Sequence, residues 1–396
     1  MSDRKEFLTI YGIQALVSIS IAVWEFSFLY LFKQGFSFAH IIACYVIVYL
    51  VATLCYFLFR SLRTSNSFYC SLFLRALVYI MLVFLLPSNP VYLVLFAVVF
   101  GVMVFWFWMP WSVKFFSFSN NDNKAFLGSL SVILPPIIRA VLPFLTGAII
   151  AVHGYDPIFI FAAFSLFIAM FVVSKIKKHI VIELEVKKRC KKIKKILPLF
   201  LVEGFWQGVN WIAVPLVTIT FITEEIKFGA FLSIIGLAGV FASLITSRIS
   251  DKMKNRSVFI YPSVILLAVF TLASASAVSF VEWTLLRAIT GFFVILASPF
   301  MVAIALDFSK DLKSVLVGRE VTLNIGRVLG CLVLLGFYIF SKDLLTPIKI
   351  SSLVILFYLF FLMKEKILEK EKKMGIKEYL GAFIPSIKNI VSIASD

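Results

Sequence analysis

The chain contains 396 residues, of which 61% are hydrophobic and only 15% are charged. Water-soluble domains carry about 25% charged residues, because charged side chains cover the surface that faces water. The composition therefore excludes a soluble enzyme, a secreted domain and a disordered chain. It predicts a protein whose surface faces lipid.

The formal net charge of +17 does not indicate a nucleic-acid-binding protein. Such a protein needs a basic face on a folded soluble domain, and this composition leaves almost no chain for one. The cysteines show neither a disulfide framework nor metal-ligand spacing, so we expect no metal and no cofactor. The five cysteines are Cys44, Cys55, Cys70, Cys190 and Cys331.

Near-continuous apolar windows predict twelve membrane-spanning helices, since each span needs about 20 such residues. The windows fall at about 7–31, 39–59, 68–86, 91–111, 128–152, 157–174, 196–222, 228–247, 258–280, 282–306, 321–340 and 344–363. The sequence thus predicts an all-α polytopic membrane protein.

Lys and Arg lie mostly on one side of this topology. The N-terminal stub, every second loop and the C-terminal tail together hold 30 of the 38 basic residues, and 10 of these lie in residues 175–195. Basic loops remain in the cytoplasm, so both termini are predicted to be cytoplasmic in a plasma-membrane protein. The basic tail is expected to contact anionic membrane lipids.

The basic linker divides the chain into two sets of six spans. A shift of 188 residues superposes Arg60 on Arg248 and Arg139 on Arg327. Because six spans return the chain to its starting side, the two halves would be parallel repeats. The predicted organisation is a first six-helix bundle, a basic cytoplasmic linker, a second six-helix bundle and a basic cytoplasmic tail, at residues 1–174, 175–195, 196–363 and 364–396.

The predicted loop between spans 8 and 9 carries Asp251, Lys252 and Arg256 in the arrangement of a loop motif of the major facilitator superfamily. The sequence resembles this family, although Ser247 and Lys254 stand where the motif usually has glycine. The resemblance implies a transporter fold and a conformational role for the three matching residues. It does not identify a substrate.

Two spans extend the resemblance. Residues 142–147 resemble the Gly-Pro motif of the antiporter branches in part, through Pro143 and Gly147. Residues 324–330 resemble span 11 of the superfamily. The family also implies that spans 1 and 7 line a central cavity.

Span 7 carries a polar and aromatic stripe. Glu203, Trp206, Gln207, Asn210 and Trp211 have the spacing of one helix face. Amides that form hydrogen bonds, indoles that stack and a carboxylate that titrates are typical of a water-filled binding cavity. The alternative is a polar contact between packed helices.

Other charged or polar residues inside spans are further candidates, since buried charge is costly in a membrane. Gln14 and Glu25 share a face of span 1, and Glu25 alternatively lies at the outer rim. Arg139 and Arg327 are candidates for binding an anionic or polar group, or else structural ties. Arg75 and Arg287 are interpreted as anchors that extend to the membrane surface; Arg287 is thus left out of the binding site.

These features predict a secondary active transporter of a small organic solute that works by alternating access. The sequence has no phosphate-binding loop for nucleotide hydrolysis, so we expect coupling to protons, or alternatively to sodium, through Glu203 or Glu25. We expect a monomer that is not an enzyme. Two alternatives stay open: a transporter fold retained as a sensor or scaffold, and a polytopic lipid or glycosyl transferase.

Overall fold

A computed structural model describes residues 2–85, 89–118, 124–176, 179–250, 257–309, 311–365 and 367–368 of the chain. Before the linker lie seven helices: α1 (Ser2–Trp24), α2 (Phe26–Lys33), α3 (Phe38–Leu58), α4 (Thr64–Val83), α5 (Pro90–Phe116), α6 (Lys124–His153) and α7 (Asp156–Val173). We call α1–α7 the first half.

The linker contains one short helix, α8 (Val186–Lys192). The helices that follow it are α9 (Leu197–Phe221), α10 (Glu225–Ser250), α11 (Ser257–Ser274), α12 (Phe280–Phe308), α13 (Leu312–Ser341) and α14 (Leu345–Lys364). We call α9–α14 the second half. Strands β1 (Ser61–Arg63) and β2 (Val181–Glu183) form a two-stranded antiparallel sheet.

Eleven segments among the described residues are long and apolar enough to cross a membrane. Helices α1 and α2 form one of them, interrupted at Glu25. The apolar part of α11, residues 259–274, is shorter and lies where the ninth span is predicted. The chain is therefore a mainly helical integral membrane protein, as its composition predicts.

Two helices extend further than their apolar windows. Helix α5 continues to Phe116 and buries Lys114, whose Nζ lies 2.9 Å from Glu6 Oε1. Helix α13 begins at Leu312 rather than near residue 321, so Arg319 lies inside the helix. Predicted apolar windows end at residue 111 and begin at residue 321, so they place Lys114 and Arg319 in loops. This assignment is wrong, because each is paired with a carboxylate inside the helical bundle.

Glycines allow α9 and α13 to pack very closely. A Cβ atom at Gly204 would lie 2.2 Å from the Leu323 carbonyl oxygen, and one at Gly208 would lie 2.3 Å from that of Arg327. On α13, a Cβ at Gly330 would lie 2.4 Å from the Phe205 carbonyl oxygen. Such reciprocal small residues four positions apart let helix backbones approach in membranes. This contact fixes the register between the two helices that carry most of the polar side chains.

The two halves meet most extensively along two helix pairs, α6 with α10 and α3 with α13, and α6 also contacts α12. At the first pair, a Cβ at Gly147 would lie 2.4 Å from the Glu225 carbonyl oxygen. A Cβ at Gly229 would be equally close to the carbonyl oxygen of Pro143. Pro143 and Gly147 of the partial Gly-Pro motif therefore lie at the contact between halves.

The linker is attached to both halves. Strand β2 pairs with β1 of the first half. From α8, Lys192 Nζ lies 2.7 Å from a carboxylate oxygen of Asp311, which caps the N-terminus of α13. Lys313 donates a hydrogen bond of 2.9 Å to the Val181 carbonyl oxygen. We call this end of the bundle the linker side, and the other end the opposite side.

Candidate functional site

The polar face of α9 is bound by three arginines. Glu203 accepts a hydrogen bond from Arg319, Gln207 accepts from Arg327, and Asn210 accepts from Arg287. Arg319 and Arg327 come from α13, and Arg287 comes from α12. Three members of the predicted stripe are therefore bound by cationic side chains of neighbouring helices.

Arg319 lies between two carboxylates. Its Nη2 atom is 3.0 Å from Glu203 Oε1, and its Nη1 atom is 3.0 Å from Oε1 of the adjacent Glu320. Gln207 donates a third hydrogen bond to Glu203 Oε1 at 3.0 Å. The guanidinium also lies over the Phe200 ring, 5.9 Å from its centroid. The group carries two potential negative charges around one positive charge.

Arg327 has only neutral partners among the described residues. Its Nε and Nη2 atoms donate to Gln207 Oε1 at 2.9 and 2.7 Å, and Nη1 donates to Asn324 Oδ1 at 2.8 Å. The guanidinium carbon lies 4.8 Å from the ring centroid of Trp211 and 5.6 Å from that of Tyr49. Tyr49 belongs to α3, so Arg327 connects the two halves.

Arg287 is also surrounded by neutral groups. It donates to Asn210 Oδ1 at 3.2 Å and to Ser274 Oγ at 3.3 Å, and its guanidinium carbon lies 5.6 Å from the Trp283 ring centroid. Asn210 in turn donates to Ser351 Oγ at 2.9 Å. Arg287 is buried, so its interpretation as a membrane-surface anchor is wrong.

The first half holds one bidentate ion pair. Arg139 binds Glu25 through Nη2 to Oε1 at 2.5 Å and through Nε to Oε2 at 3.1 Å. Glu25 lies at the break between α1 and α2, and Arg139 lies on α6. The Arg139 side chain is 37% exposed. Two candidates that sequence analysis treated separately thus form one pair.

The other predicted residues have different surroundings. Trp211 is 47% exposed and sits on the same strip of α9 as Gln207, whereas Trp206 is buried in a hydrophobic cluster with Phe200 and Leu323. This burial favours a packing role for Trp206. Gln14 is buried in α1. The predicted loop motif Asp251, Lys252 and Arg256 lies outside the described residues.

The site predicted from the sequence does not include Arg319, Glu320 or Arg287, which the structure places beside it. Glu320, Asn324 and Arg327 follow the spacing of a single helix face, which is a signal that α13 begins earlier. An apolar window discards such a segment because its charges lower the mean hydropathy. The partner carboxylate, Glu203, is far away in sequence, so the pairing itself leaves no local signal.

Among the parts of the chain that the structure describes, no group of three or more His, Cys, Asp or Glu side chains is arranged to hold a metal. A groove of about 360 Å³ lies between α6 and α10. Its lining is mostly apolar and includes none of the predicted site residues: Ala140, Val141, Phe144, Leu145, Ala230, Ser233, Ile234 and Leu237.

Comparison with known proteins gives a match at the level of structure. The human organic anion transporter MFSD10 (TETRAN) superposes with a TM-score of 0.65 over 91% of this chain and 99% of that chain, at 11% sequence identity. No family model matches the sequence, and no curated protein matches it. The structural likeness shows that this chain has the major facilitator fold, which the loop and span motifs predict.

Proposed function

From the major facilitator fold and the arginines on α9, we propose that this protein is a secondary active transporter that moves a small organic anion by alternating access. The observation that carries the proposal is that Arg287 and Arg327, both buried against the polar face of α9, have no carboxylate partner among the described residues. Arg75 of the first half is also buried without a carboxylate partner among these residues, but it binds Ser20 of α1 and lies away from this face. An ionised side chain inside a membrane protein is costly unless a partner or water accompanies it. A bound anion supplies that partner.

Arg327 has the better position to contact a solute. A guanidinium has five N–H donors, and Arg327 uses three of them in the described contacts. The exposed ring of Trp211 lies beside it. Carboxylate and phosphate groups bind such a planar fork through two hydrogen bonds. The similar structure is described as an organic anion transporter, which agrees with this chemistry.

Alternating access requires two bodies that move relative to each other. We assign these bodies to residues 1–174 and 196–363, joined by the linker at 175–195. The contact of Arg327 with Tyr49 crosses between them, so movement of the halves changes the surroundings of the proposed binding arginine. Two opposed rigid halves with a site between them are the usual basis of such a cycle.

A solute screen tests the proposed substrate class. Purified protein is heated in the presence of matched pairs of compounds, each an organic acid and its uncharged amide. We expect the acids to raise the melting temperature and the amides to have no effect, with loss of the effect in Arg327→Gln. Stabilisation by both members of each pair would contradict an anion site. Binding without flux in proteoliposomes would favour a sensor instead of a transporter.

Proton coupling is assigned to Glu203. Its carboxylate is buried on the polar face of α9 and accepts hydrogen bonds from Arg319 and Gln207. Such a membrane-buried carboxylate is the usual place for a proton relay. In proteoliposomes, Glu203→Gln is expected to lose accumulation driven by a proton gradient and to retain solute exchange. Accumulation by this variant at the parental rate would move the assignment to Glu25 or to sodium coupling.

The linker side is assigned to the cytoplasm, since residues 175–195 carry 10 basic residues. The test is a single cysteine in place of Lys188, in a background without the natural cysteines. We expect no labelling by an impermeant reagent in sealed cells and ready labelling after permeabilisation. Labelling from outside would reverse the assigned orientation.

A further inference from the structure

A buried polar cluster connects three helices of the second half near the linker side. It contains Glu203 on α9, Arg319 and Glu320 on α13, and Tyr358 on α14. Both carboxylates and the tyrosine are buried. Tyr358 packs in the same buried cluster as Val202, the neighbour of Glu203, and Leu323, which lies one helical turn after Arg319 and Glu320. We call these four residues the acid cluster.

The charges of the acid cluster do not balance. Arg319 contacts both Glu203 and Glu320 at 3.0 Å, so these three directly paired groups sum to −1 when all are ionised. A further cation, Arg327, does not touch either carboxylate and is separated from Glu203 by the Gln207 amide. Leaving a net charge in a low-dielectric interior is strongly unfavourable. One added positive charge makes the cluster neutral. By contrast, the Glu25 and Arg139 pair is already neutral.

Two oxygen atoms of the acid cluster remain available. Glu203 Oε2 and the Tyr358 hydroxyl are buried and have no hydrogen-bond partner among the described residues. Buried oxygens without partners are rare and call for a specific explanation. A proton on the carboxyl pair converts an acceptor oxygen into a donor and removes the excess negative charge at the same time.

We propose that Glu203 and Glu320, bridged by Arg319, bind one exchangeable proton between them, so that Glu320 and Arg319 belong to the coupling site. This inference rests on the proposed proton-coupled transport and assigns it to a pair of carboxylates instead of a single one. Because the two carboxyls share one guanidinium, the proton belongs to the pair.

The acid cluster lies on a helix that packs against the other half. Helix α13, which carries Arg319 and Glu320, contacts α3, where Tyr56 is buried. The titratable and charged groups on the helices around the carboxyl pair are Arg319 and Arg327 on α13, Tyr358 on α14 and Tyr56 on α3. Protonation changes the charge next to the α3 and α13 contact, where the two halves meet. This location links proton binding to movement of the halves.

A metal cation fits the acid cluster less well than a proton. Hard cations such as Ca²⁺ take six to eight oxygen ligands, and Mg²⁺ needs an octahedral set. The cluster offers only two carboxylates and one hydroxyl, and both carboxylates already bind Arg319. Sodium binding is therefore an outcome that the test must separate from proton binding.

The test measures carboxyl protonation in the purified full-length protein, without solute or gradient. Infrared difference spectra between acidic and alkaline pH report protonated carboxyls, and a pH indicator counts the protons taken up. We expect one proton in the wild type at the acid cluster. Either Glu203→Gln or Glu320→Gln abolishes it, because the remaining carboxylate is then neutralised by Arg319 alone.

Glu25→Gln is the matched comparison, since it removes the carboxylate of a one-to-one pair; proton uptake is expected to persist in it. Uptake that persists in Glu320→Gln, is lost in Glu25→Gln, or depends on sodium concentration overturns the inference. The wild type alone overturns it if no band at the frequency of a buried, weakly hydrogen-bonded carboxyl changes with pH, even where the variants fold poorly.

This measurement separates the inference from the proposed function. Anion transport in proteoliposomes without proton uptake at the acid cluster would leave the transporter assignment intact and reject the site. Proton uptake at the cluster in a protein that moves no anion would retain the site and reject transport.

Discussion

Arg139 and Arg327 occupy equivalent positions of the predicted repeat, and they are satisfied in different ways. Arg139 forms a bidentate ion pair with Glu25 in the first half. Arg327 in the second half binds two amide oxygens and lies against two aromatic rings. Arginine at the same repeat position is thus paired with a carboxylate in one half and only with neutral groups in the other.

This difference indicates a division of roles between the halves. The opposite charges of an ion pair largely cancel, so such a pair attracts an incoming ion only weakly and is suited to a structural contact. An arginine held by neutral dipoles is positioned, and its positive charge still acts on an incoming anion. The second half therefore concentrates the proposed chemistry along α9, while the first half supplies Tyr49 as the contact across the interface.

The largest expected effect comes from separating α9 and α13. Gly204→Ala places a methyl group 2.2 Å from the Leu323 carbonyl oxygen, so the helices must move apart. Overpacking costs typically 1–3 kcal/mol, and here the obstacle is backbone that cannot rotate away. We expect thermal melting in detergent to show a destabilisation of about 3 kcal/mol or more, with loss of solute binding.

Gly12→Ala in α1 is the matched control in the first half. A Cβ atom there would meet nothing within 4 Å, and alanine is a better helix former than glycine. This variant is expected to be neutral or more stable by up to about 1 kcal/mol. Equal melting temperatures for the two variants would show that the close packing of α9 and α13 is unimportant.

The second prediction compares the two equivalent arginines. Arg327→Gln leaves no carboxylate without a partner, so stability is expected to change by about 1 kcal/mol or less while anion affinity falls roughly 10- to 100-fold. Arg139→Gln leaves Glu25 unpaired, and it is expected to lower stability by about 1–2 kcal/mol. The double variant Glu25→Gln/Arg139→Gln should recover most of that stability.

Calorimetric titration with an organic acid and thermal melting distinguish these outcomes. If Arg327→Gln destabilises the protein and binds the acid normally, Arg327 is a structural tie. If Arg139→Gln lowers the affinity for the organic acid as much as Arg327→Gln does, both halves contribute an arginine to the anion site.

Local features of this structure can be predicted from the sequence, whereas contacts between distant residues cannot. Twelve apolar windows and the α9 stripe are local patterns, and composition alone places them in a membrane fold. The Arg319 contact with Glu203 joins residues more than 100 positions apart, and nothing local signals it. The charge of Arg319 also lowers the local hydropathy, so the apolar window begins at residue 321 although α13 begins at Leu312. Gly204, Gly208, Gly326 and Gly330 form visible four-residue spacings that predict the close packing.

A smaller effect is expected where the linker binds α13. Burial disfavours the charged form of Asp311, but hydrogen bonds from Lys192 and Ser314 outweigh it and hold the pKa of the carboxyl well below its usual range. A lowered pKa stabilises the fold above the usual Asp range, and this contribution is lost only as the pH falls through the lower folded value. Asp311→Asn keeps a capping side chain and loses the charge.

Because Asp311 is partly exposed, solvent screening limits the effect at neutral pH to about 1 kcal/mol. Thermal melting of Asp311→Asn and wild type is expected to differ at neutral pH and to converge only in strong acid. Lys192→Gln should reproduce much of the loss. A constant difference at every pH would mean that the charge of Asp311 does not matter.

The smallest effect is expected at the opposite side, where Lys33 of the first half pairs with Glu225 of the second, and the Tyr155 hydroxyl donates to the same carboxylate at 3.2 Å. Exposed ion pairs contribute about 0.2–1 kcal/mol. Breaking this one is therefore expected to change the population of conformations in which the halves touch at the opposite side by at most about five-fold.

Lys33→Glu places two acids together and is expected to separate the halves at this side. Accessibility of a cysteine introduced at Trp211 measures the shift, and Lys33→Glu/Glu225→Lys should restore the parental value because it re-forms the pair with reversed charges. An unchanged labelling rate in the single variant would show that the Lys33 and Glu225 pair does not hold the halves together at the opposite side. The contact of α6 with α10 would then be the main contact between the halves there.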